Sequence, residues 1–458
     1  MSDSNRMTPA ELRASLGLAG IFGLRMLGMF IILPVFALYA EHLPGGHSHT
    51  LVGIALGAYG LTQALLQVPF GSLSDHWGRK RTIYLGLAIF ALGSFIAAVA
   101  QDIYLVILGR VVQGAGAVSS AVIALTSDLT REDQRTKAMA LIGMTIGATF
   151  GISMIAGPVL ARSIGVPGIF AMTGVLALAA IAVVRWVVPD PQAPDVPVQA
   201  GKRVRFTEIL RHRELVRLNL GIFVLHAVLM ALFMVVPFSL RDAGLDSGNH
   251  WKVYLPVMIG SVVLMLPPMV ASERRGQYKQ MFLLAVAVLR VAQGLLVALS
   301  GSILGLSIAL LVFFAAFNYL EASLPALVSR LAPPQAKGAA AGVYSSVQFF
   351  GAFIGASVGG AISQHFGATS MFVVCGILTL SWLVAARGMR APDRLGTRTY
   401  PLPQMDERHA QGLSRELALA PGVREARVLA GERVARLTVD SARFDEQHVL
   451  RLISGEIR

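Results

Sequence analysis

Twelve apolar segments, each long enough to cross a lipid bilayer, decide what this sequence can fold into. A hydrocarbon core about 30 Å thick needs about 20 helical residues at a rise of about 1.5 Å per residue. Of the 458 residues, 55% are hydrophobic and only 14% are charged, whereas a soluble chain carries roughly a quarter charged residues. We therefore expect an all-α membrane protein. The segments are 17–40, 51–71, 82–100, 103–127, 138–161, 168–188, 216–240, 252–271, 281–299, 303–327, 339–363 and 369–387.

The basic residues alternate between the loops, and this pattern predicts the orientation in the membrane. Lys and Arg concentrate after segments two, four, eight and ten and in the middle connection, while the other turns hold only Arg162, Arg241 and Lys252. Because basic loops stay in the cytoplasm, we expect an inner-membrane protein with both termini cytoplasmic. The basic residues of these loops are Arg79, Lys80, Arg81, Arg131, Arg135, Lys137, Lys202, Arg203, Arg205, Arg211, Arg213, Arg274, Arg275, Lys279, Arg330 and Lys337.

Several other classes of protein are disfavoured. The net charge of +13 reflects topology, since nucleic-acid binding needs basic residues on one polar face with aromatic side chains for stacking. The single cysteine, Cys375, forms neither an intrachain disulfide nor a CxxC pair. Met1–Ser15 is mostly polar, so we expect no cleavable signal peptide. No nucleophile–base pair or phosphate loop stands out, so we expect no enzyme, no cofactor and no metal.

The membrane part divides into two similar halves. The stretch from Pro189 to Glu214 is Pro-rich at first and then allows a short interfacial helix over Phe206–Glu214. A motif of the first half, Pro69, Asp75 and Gly78, recurs 198 residues later as Pro267, Glu273 and Gly276. The predicted divisions are bundles at 1–188 and 216–390, linkers at 189–215 and 391–400, and a separate domain at 401–458.

The C-terminal residues have a different character. Residues 401–458 contain nine basic and nine acidic side chains, as expected of a soluble domain. A strand over Thr397–Leu402, a helix over Glu407–Leu419, two strands joined at Ala430–Gly431 and a last helix give the order βαββα. This order suits a ferredoxin-like sandwich. The domain has no cysteine, so a thiolate metal site is excluded, and its ligand or partner is not evident; we expect a regulatory or stabilising module.

The segment "GSLSDHWGRKR" between segments two and three is a compact motif. Gly71 permits close backbone approach and Gly78 permits a sharp turn. A plain positive-inside loop would not need the glycines and the aspartate at this spacing. The residues that form the pattern are Gly71, Leu73, Asp75, Gly78, Arg79, Lys80 and Arg81.

Four ionisable residues lie deep in the apolar segments: Arg25, Arg110, His226 and Glu321. Such residues are costly in a bilayer and mark functional sites by default. Glu321 is a candidate proton or cation site, with Asn318 on the same helix face. The alternative is a fixed ion pair between Glu321 and an arginine such as Arg25.

Arg110 and His226 leave alternatives open as well. Arg110, with Gln113 one turn on, takes part in proton coupling or substrate binding, or only binds backbone carbonyls and holds helix packing. His226 is a proton relay or a neutral hydrogen-bonded histidine. Arg290 in segment nine fits neither pattern.

Two further motifs are weaker. In segment five, Gly151, Gly157 and Pro158 let helices pack and bend. The first outer loop holds His42, His47 and His49, which is a metal-binding composition, although a polar loop without a metal is the interpretation we prefer.

These motifs together resemble the major facilitator superfamily, in its YajR-type branch. The resemblance rests on "LRMLGMFIILPVFALYA", "GSLSDHWGRKR" and "FNYLEASLPALVSRLAP", and on the C-terminal domain. It implies two six-helix bundles and a central cavity lined by segments one, four, seven and ten. "LGRVVQGAGA" resembles the helix-four motif of the superfamily. "GISMIAGPVLA" resembles the helix-five motif of proton-coupled drug antiporters, although Ser153 and Ala161 replace glycines found there.

The resemblance also implies a mechanism for the loop at 71–81. Arg79 would pair with Asp128, and Asp75 would lie against the start of segment eleven. These contacts would latch the outward-facing state and break as the protein opens inward.

The function that we expect is secondary transport by alternating access, as a monomer that exports small, amphipathic compounds in exchange for protons. One alternative is an importer or facilitator of a polar metabolite on the same fold. Another is a membrane sensor with a transporter fold. The complete motif at 71–81 favours a moving transporter over a sensor.

Overall fold

The computed structural model describes residues 7–131, 134–190, 211–332, 337–389, 395–431, 433–440 and 443–454. Most of the middle linker, including residues 206–210 of the expected interfacial helix, lies outside these ranges. The chain forms two compact units: residues 1–272 with 280–389, and residues 273–279 with 390–458.

Ten helical stretches among the described residues are long and apolar enough to cross a membrane. In the first half the helices are α1 (Pro9–Phe30), α2 (Phe36–Ala40), α3 (His49–Trp77), α4 (Arg79–Ala98), α5 (Ile103–Ala115), α6 (Ser119–Asp128) and α7 (Arg135–Trp186). In the second half they are α8 (Arg213–Phe233), α9 (Val236–Asp242), α10 (Trp251–Arg275), α11 (Tyr278–Leu299), α12 (Ile303–Leu331) and α13 (Lys337–Arg387).

The count of ten agrees with twelve predicted segments because two helices each contain two of them. α7 has 52 residues and α13 has 51, more than twice what one crossing needs. Each is broken at one glycine with a left-handed backbone, Gly165 (φ 71°) and Gly367 (φ 82°). A glycine adopts this conformation without a Cβ clash, so the chain reverses direction in almost no loop.

The two halves meet where α3 crosses α13. Gly53, Gly57 and Gly60 lie on one face of α3, and the two backbones are almost in contact there. A Cβ at Gly53 would lie 2.2 Å from the carbonyl oxygen of Ala356, and a Cβ at Gly60 would lie 2.7 Å from that of Phe349. Small residues at such spacing let transmembrane helices approach closely. The crossing therefore depends on this glycine face.

The ends of the bundle need names. We call the end that holds residues 71–81 and 128–131 the latch end, and the end that holds residues 41–50 and 241–250 the opposite end. At the latch end α1 begins with a capping box, in which Thr8 and Glu11 exchange hydrogen bonds of 2.8 and 3.2 Å. Glu11 also accepts from the backbone and side chain of Arg131, at 2.9 and 3.0 Å, and so fixes the start of α1 to the loop after α6.

The small C-terminal domain has the predicted βαββα order. It consists of β1 (Leu395–Pro401), α14 (Glu407–Leu419), β2 (Val423–Leu429), β3 (Val434–Asp440) and α15 (Glu446–Ser454). The sheet is antiparallel in the order β1-β3-β2. β1 begins inside the stretch expected as a linker, since its pairing with β3 runs from Leu395. Its core is Tyr400, Leu402, Leu417, Ala420, Val423, Ala435, Leu437, Val439, Val449 and Leu452.

Candidate functional site

Arg79 joins three elements at the latch end. Gly78, with φ 103°, ends α3 and lets α4 begin at Arg79. The Arg79 Nε donates to Asp128 Oδ2 of α6 at 3.0 Å, and its Nη1 donates to Ser74 and to Asp75. Arg79 thus lies against Asp128, while Asp75 pairs with Arg79. The latch function of this cluster stays a prediction.

The neighbouring motif residues have different surroundings. Lys80 Nζ donates to the carbonyl oxygen of Val188 at 2.6 Å and pairs with Asp190 Oδ1 at 2.7 Å. The hydrogen bond from Lys80, together with its charge, lowers the pKa of the Asp190 carboxyl group. Arg81 is exposed. A Cβ at Gly71 would lie 3.4 Å from Ser120, so this glycine faces α6.

The first half contains a cluster of buried polar groups around Arg25 and Arg110, which we call the arginine cluster. Arg25 is 1% exposed and donates to the hydroxyl of Ser119 and to the amide oxygen of Gln63. The Gln63 amide in turn donates to Gln67 at 2.7 Å. An arginine at the bilayer centre costs roughly 3 kcal/mol on insertion scales, and these neutral acceptors offset part of that cost.

Arg110 completes the arginine cluster. It is 0% exposed and donates to the Gln113 side chain and, at 3.3 Å, to the carbonyl oxygen of Leu56. Gln113 donates to Ser94 of α4 at 2.8 Å. The aromatic ring of Tyr59 lies between the two arginines, 4.9 Å from the Arg110 guanidinium carbon and 6.0 Å from that of Arg25. Arg110 therefore has the helix-bracing contacts expected of the packing role.

The second half contains a different cluster, formed by Glu321, Gln348 and His226, which we call the glutamate cluster. The Gln348 amide donates to Glu321 Oε1 at 3.2 Å and lies 2.8 Å from His226 Nε2. His226 Nε2 lies 3.8 Å from Glu321 Oε2. The Glu321 side chain is 29% exposed and that of His226 is 5% exposed. Asn318 turns away and donates to Ser261 of α10 at 3.0 Å.

The structure decides one alternative left open by the sequence. Arg25 uses its donors on Ser119 and Gln63, and Glu321 lies beside Gln348 and His226. The fixed ion pair between Glu321 and Arg25 is therefore wrong for this conformation.

Phenylalanine side chains fill the space between the halves. The Phe150 ring of α7 lies 5.0 Å from that of Phe30, 5.9 Å from that of Phe314 and 5.8 Å from that of Phe317. Phe317 also lies 6.0 Å from the His226 ring. The glutamate cluster thus borders an aromatic cluster that both halves build.

Polar contacts join the halves at the opposite end. Arg241 donates to Glu41 at 2.6 Å, and the His49 ring stacks on Phe238 with centroids 5.3 Å apart. Gln364 accepts from the Thr50 hydroxyl at 3.0 Å. Together with the α3–α13 crossing, these contacts join the halves at the opposite end. In the described part of the chain no three His, Cys, Asp or Glu side chains are grouped as a metal site.

The remaining sequence candidates have packing contacts. A Cβ at Gly157 would lie 2.5 Å from the carbonyl oxygen of Ile31, whereas Gly151 has open space and Pro158 continues α7. Arg290 of α11 lies over Gly376 of α13, where a Cβ would be 3.2 Å from the guanidinium carbon.

Sequence reasoning missed the neutral members of both clusters. Gln63, Ser119, Tyr59 and Gln348 all lie in apolar segments, where a glutamine or serine is itself uncommon enough to be a signal. The runs "LTQALLQ" and "VYSSVQFF" show this signal for Gln63 and Gln348. The partner of a polar side chain is fixed only when the helices pack together.

Comparisons with known proteins identify the family. The Major Facilitator Superfamily model matches residues 18–271 and 249–430. The protein named "Inner membrane transport protein YajR" from Escherichia coli is 41% identical over 450 residues, covering 97% of this chain and 99% of that protein. "Multidrug resistance protein MdtH" from Aeromonas hydrophila is 25% identical, covering 74% of this chain and 85% of that protein.

The fold is also found in solved structures. The structure of a bacterial homologue of the human lysosomal transporter Spinster has a TM-score of 0.69 at 14% identity, covering 83% of this chain and 97% of that chain. These matches confirm the resemblance expected from the motifs and the multi-pass membrane architecture. The chain therefore belongs to the Major Facilitator Superfamily, of the YajR type, and is a membrane transporter of small molecules rather than an enzyme.

Proposed function

We propose that this protein exports small compounds across the inner membrane in exchange for protons, with Glu321 as the proton-binding group. The observation that carries the proposal is the environment of Glu321. Its carboxylate lies beside the neutral amide of Gln348 at 3.2 Å, and its Oε2 is buried without a hydrogen-bond partner. A carboxylate with neutral neighbours takes up and releases a proton without breaking an ion pair.

His226 and Gln348 are the polar neighbours of Glu321. The imidazole lies within 3.8 Å of the carboxylate, close enough for a proton to pass through one bridging group. Arg25, Arg110 and Gln113 belong to the substrate cavity in this proposal, and Asn318 positions α12 through Ser261.

The contacts between the halves support alternating access. Positive-inside orientation puts the basic latch end and both termini in the cytoplasm. The contacts of Glu41 with Arg241 and of His49 with Phe238 then close the periplasmic side. In the outward-facing state these contacts would break. Asp75 would then release Arg79 and contact the start of α13. The loop at 71–81 would act as the latch for that state.

The direction of transport rests on names of relatives. MdtH from Aeromonas hydrophila is named for multidrug resistance, and a class G tetracycline resistance protein from Vibrio anguillarum is 33% identical over 147 residues. We infer that the transporter works as a monomer with bundles at 1–188 and 216–390. The domain predicted at 401–458, together with the strand that begins before it at Leu395, would be a cytoplasmic regulatory module.

The test is proton movement in inverted membrane vesicles with an acid interior, with tetracycline, norfloxacin and ethidium added in turn. We expect at least one compound to dissipate the gradient with wild type and not with Glu321→Gln. The control is Glu416→Gln, which changes an exposed carboxylate of the C-terminal domain. Dissipation by Glu321→Gln at the wild-type rate would remove Glu321 from proton coupling.

A further inference from the structure

We propose that the arginine cluster binds the anionic group of an organic substrate, a carboxylate, sulfonate or phosphate. The inference rests on the proposed function, since it names the substrate class of the same cavity. Its basis is the juxtaposition of two buried guanidinium groups and a broken helix, with no negatively charged side chain among the described residues paired to either arginine.

The two arginines have a small set of hydrogen-bond partners. The described partners of Arg25 are the Ser119 hydroxyl and the Gln63 amide, and those of Arg110 are the Gln113 amide and a backbone carbonyl. All are neutral, and neither arginine forms an ion pair with any residue in the described ranges. Buried charges are normally paired, so two uncompensated cations in one cluster call for an anion.

The second step is the break in the fourth transmembrane segment. α5 ends at Ala115 and α6 begins at Ser119, with no side chain capping the start of α6. The first N–H groups of a helix carry a partial positive charge, and Arg25 donates to the hydroxyl of Ser119 at this same place. A cation at a helix N-terminus is unfavourable by itself. Discontinuous transmembrane helices in transporters point such ends at anionic substrate groups.

The third step is the supply of unused donors. The Nε atoms of both Arg25 and Arg110 are buried without a hydrogen-bond partner. A guanidinium offers its donors in a planar fork that matches the two oxygens of a carboxylate or sulfonate. The cluster therefore has both the charge and the free N–H groups that such an anion needs.

The side chains around the arginine cluster indicate the chemistry of the rest of the ligand. The Tyr59 ring lies over Arg110 and 6.4 Å from the ring of Phe349 of α13, so the body of the substrate would meet aromatic side chains. Both arginines are fully buried in this conformation. An anion reaches them only when the covering side chains move, as happens when the halves rearrange.

The experiment uses the purified full chain in nanodiscs and four probes with one aromatic body. These are 1-naphthoate, naphthalene-1-sulfonate, 1-naphthalenemethanol and 1-naphthylmethylamine, titrated by isothermal calorimetry in a chloride-free Tris buffer with fluoride as the counter-ion. We expect the two anions to bind at least tenfold more tightly than the alcohol and the amine. Equal or tighter binding of the amine would overturn the proposal.

Variants locate the site. Arg25→Gln should weaken 1-naphthoate binding at least tenfold, and Arg110→Lys, which keeps the charge but loses the planar fork, at least threefold. Arg290→Gln, which removes a transmembrane arginine outside the cluster, should leave the affinity unchanged. The unfolding temperature of each variant checks that it is folded. Unchanged affinity in folded Arg25→Gln and Arg110→Lys would overturn the assignment.

Two further outcomes separate the possibilities. If 10 mM chloride displaces 1-naphthoate completely, the cluster holds an inorganic anion and the organic substrate class is wrong. Binding needs no proton gradient, so absence of antiport in vesicles with intact selective naphthoate binding would contradict proton-coupled export alone. Loss of anion selectivity with intact antiport would contradict the anion site alone.

Discussion

The two halves share one architecture but carry opposite kinds of buried charge. The arginine cluster of the first half contains two guanidinium groups with neutral partners. The glutamate cluster of the second half contains one carboxylate with a glutamine and a histidine. Cations and carboxylate are thus kept apart, with an aromatic cluster bordering the second.

This separation has a physical meaning. An arginine is charged at every physiological pH, so the first cluster presents a fixed charge. A carboxyl group among neutral neighbours changes its charge when it takes up a proton. In the proposed mechanism one half would therefore hold the ligand and the other would bind the proton, and a direct Arg–Glu pair would cancel both properties.

The largest expected effect comes from reversing the charge of the first cluster. Arg25→Glu would place a carboxylate at Ser119 and Gln63, and we expect more than a 100-fold loss of 1-naphthoate affinity and no measurable transport. The physical reason is that a like charge is repelled from the site and leaves Gln63 and Ser119 without their donor. Calorimetry and vesicle transport measure the two effects.

The control for this reversal is Arg25→Lys, which keeps the positive charge and should bind 1-naphthoate within about tenfold of wild type. Retained naphthoate binding by folded Arg25→Glu would show that the two clusters do not differ in the manner described.

An intermediate effect is expected from removing the bridge of the second cluster. Gln348→Leu takes away the donor to Glu321 and the contact with His226 at similar side-chain size. A buried hydrogen bond to a charged group contributes about 1.5–3 kcal/mol, so we expect proton-coupled transport to fall about tenfold or more, with 1-naphthoate binding unchanged. Gln280→Leu, at an exposed glutamine of α11, is the control. An equal fall in naphthoate affinity would merge the two clusters into one site.

The smallest effect sharpens the comparison within the first cluster. Gln63→Ala removes one neutral acceptor of Arg25 and frees a guanidinium N–H for the ligand. One neutral hydrogen bond contributes about 0.5–1.5 kcal/mol, so 1-naphthoate should bind about threefold more tightly, as calorimetry would show. Thr62→Ala, at the preceding residue of α3, controls for helix effects. Weaker binding of the anion by Gln63→Ala would mean that Gln63 itself contacts it.

Much of the fold follows from the sequence. Hydropathy places the apolar segments because a bilayer fixes their length, and the motif at 71–81 places the sharp turn at Gly78. The same reasoning placed the helix of the small domain at Glu407–Leu419, where the structure has it. The sequence predicted separate segments on either side of Gly165 and of Gly367. It did not predict that each pair of segments forms one helix broken only at the glycine, since a positive φ leaves no trace in composition.

Only the charged residues of the candidate site could be predicted from the sequence. Arg25, Arg110, His226 and Glu321 stand out because charge is rare in apolar segments. Which of them are neighbours depends on which helices pack together. A single amino-acid sequence does not distinguish Arg25 from Gln348 as the neighbour of Glu321. Arg25 donates to the neutral side chains of Gln63 and Ser119 in its own half. Neutral side chains do not stand out in the sequence as charged ones do.

The single-glycine turns at Gly165 and Gly367 have a consequence for how the chain enters the bilayer during synthesis. The two crossings of α7 are joined at one non-helical glycine rather than by a separate loop, and so are those of α13. Each pair can insert as one helical hairpin, with the backbone groups on either side of the glycine bonded within their own helices. Almost no hydrophilic peptide then has to be carried through the hydrocarbon, and almost none is left on the far side for a protease to cut.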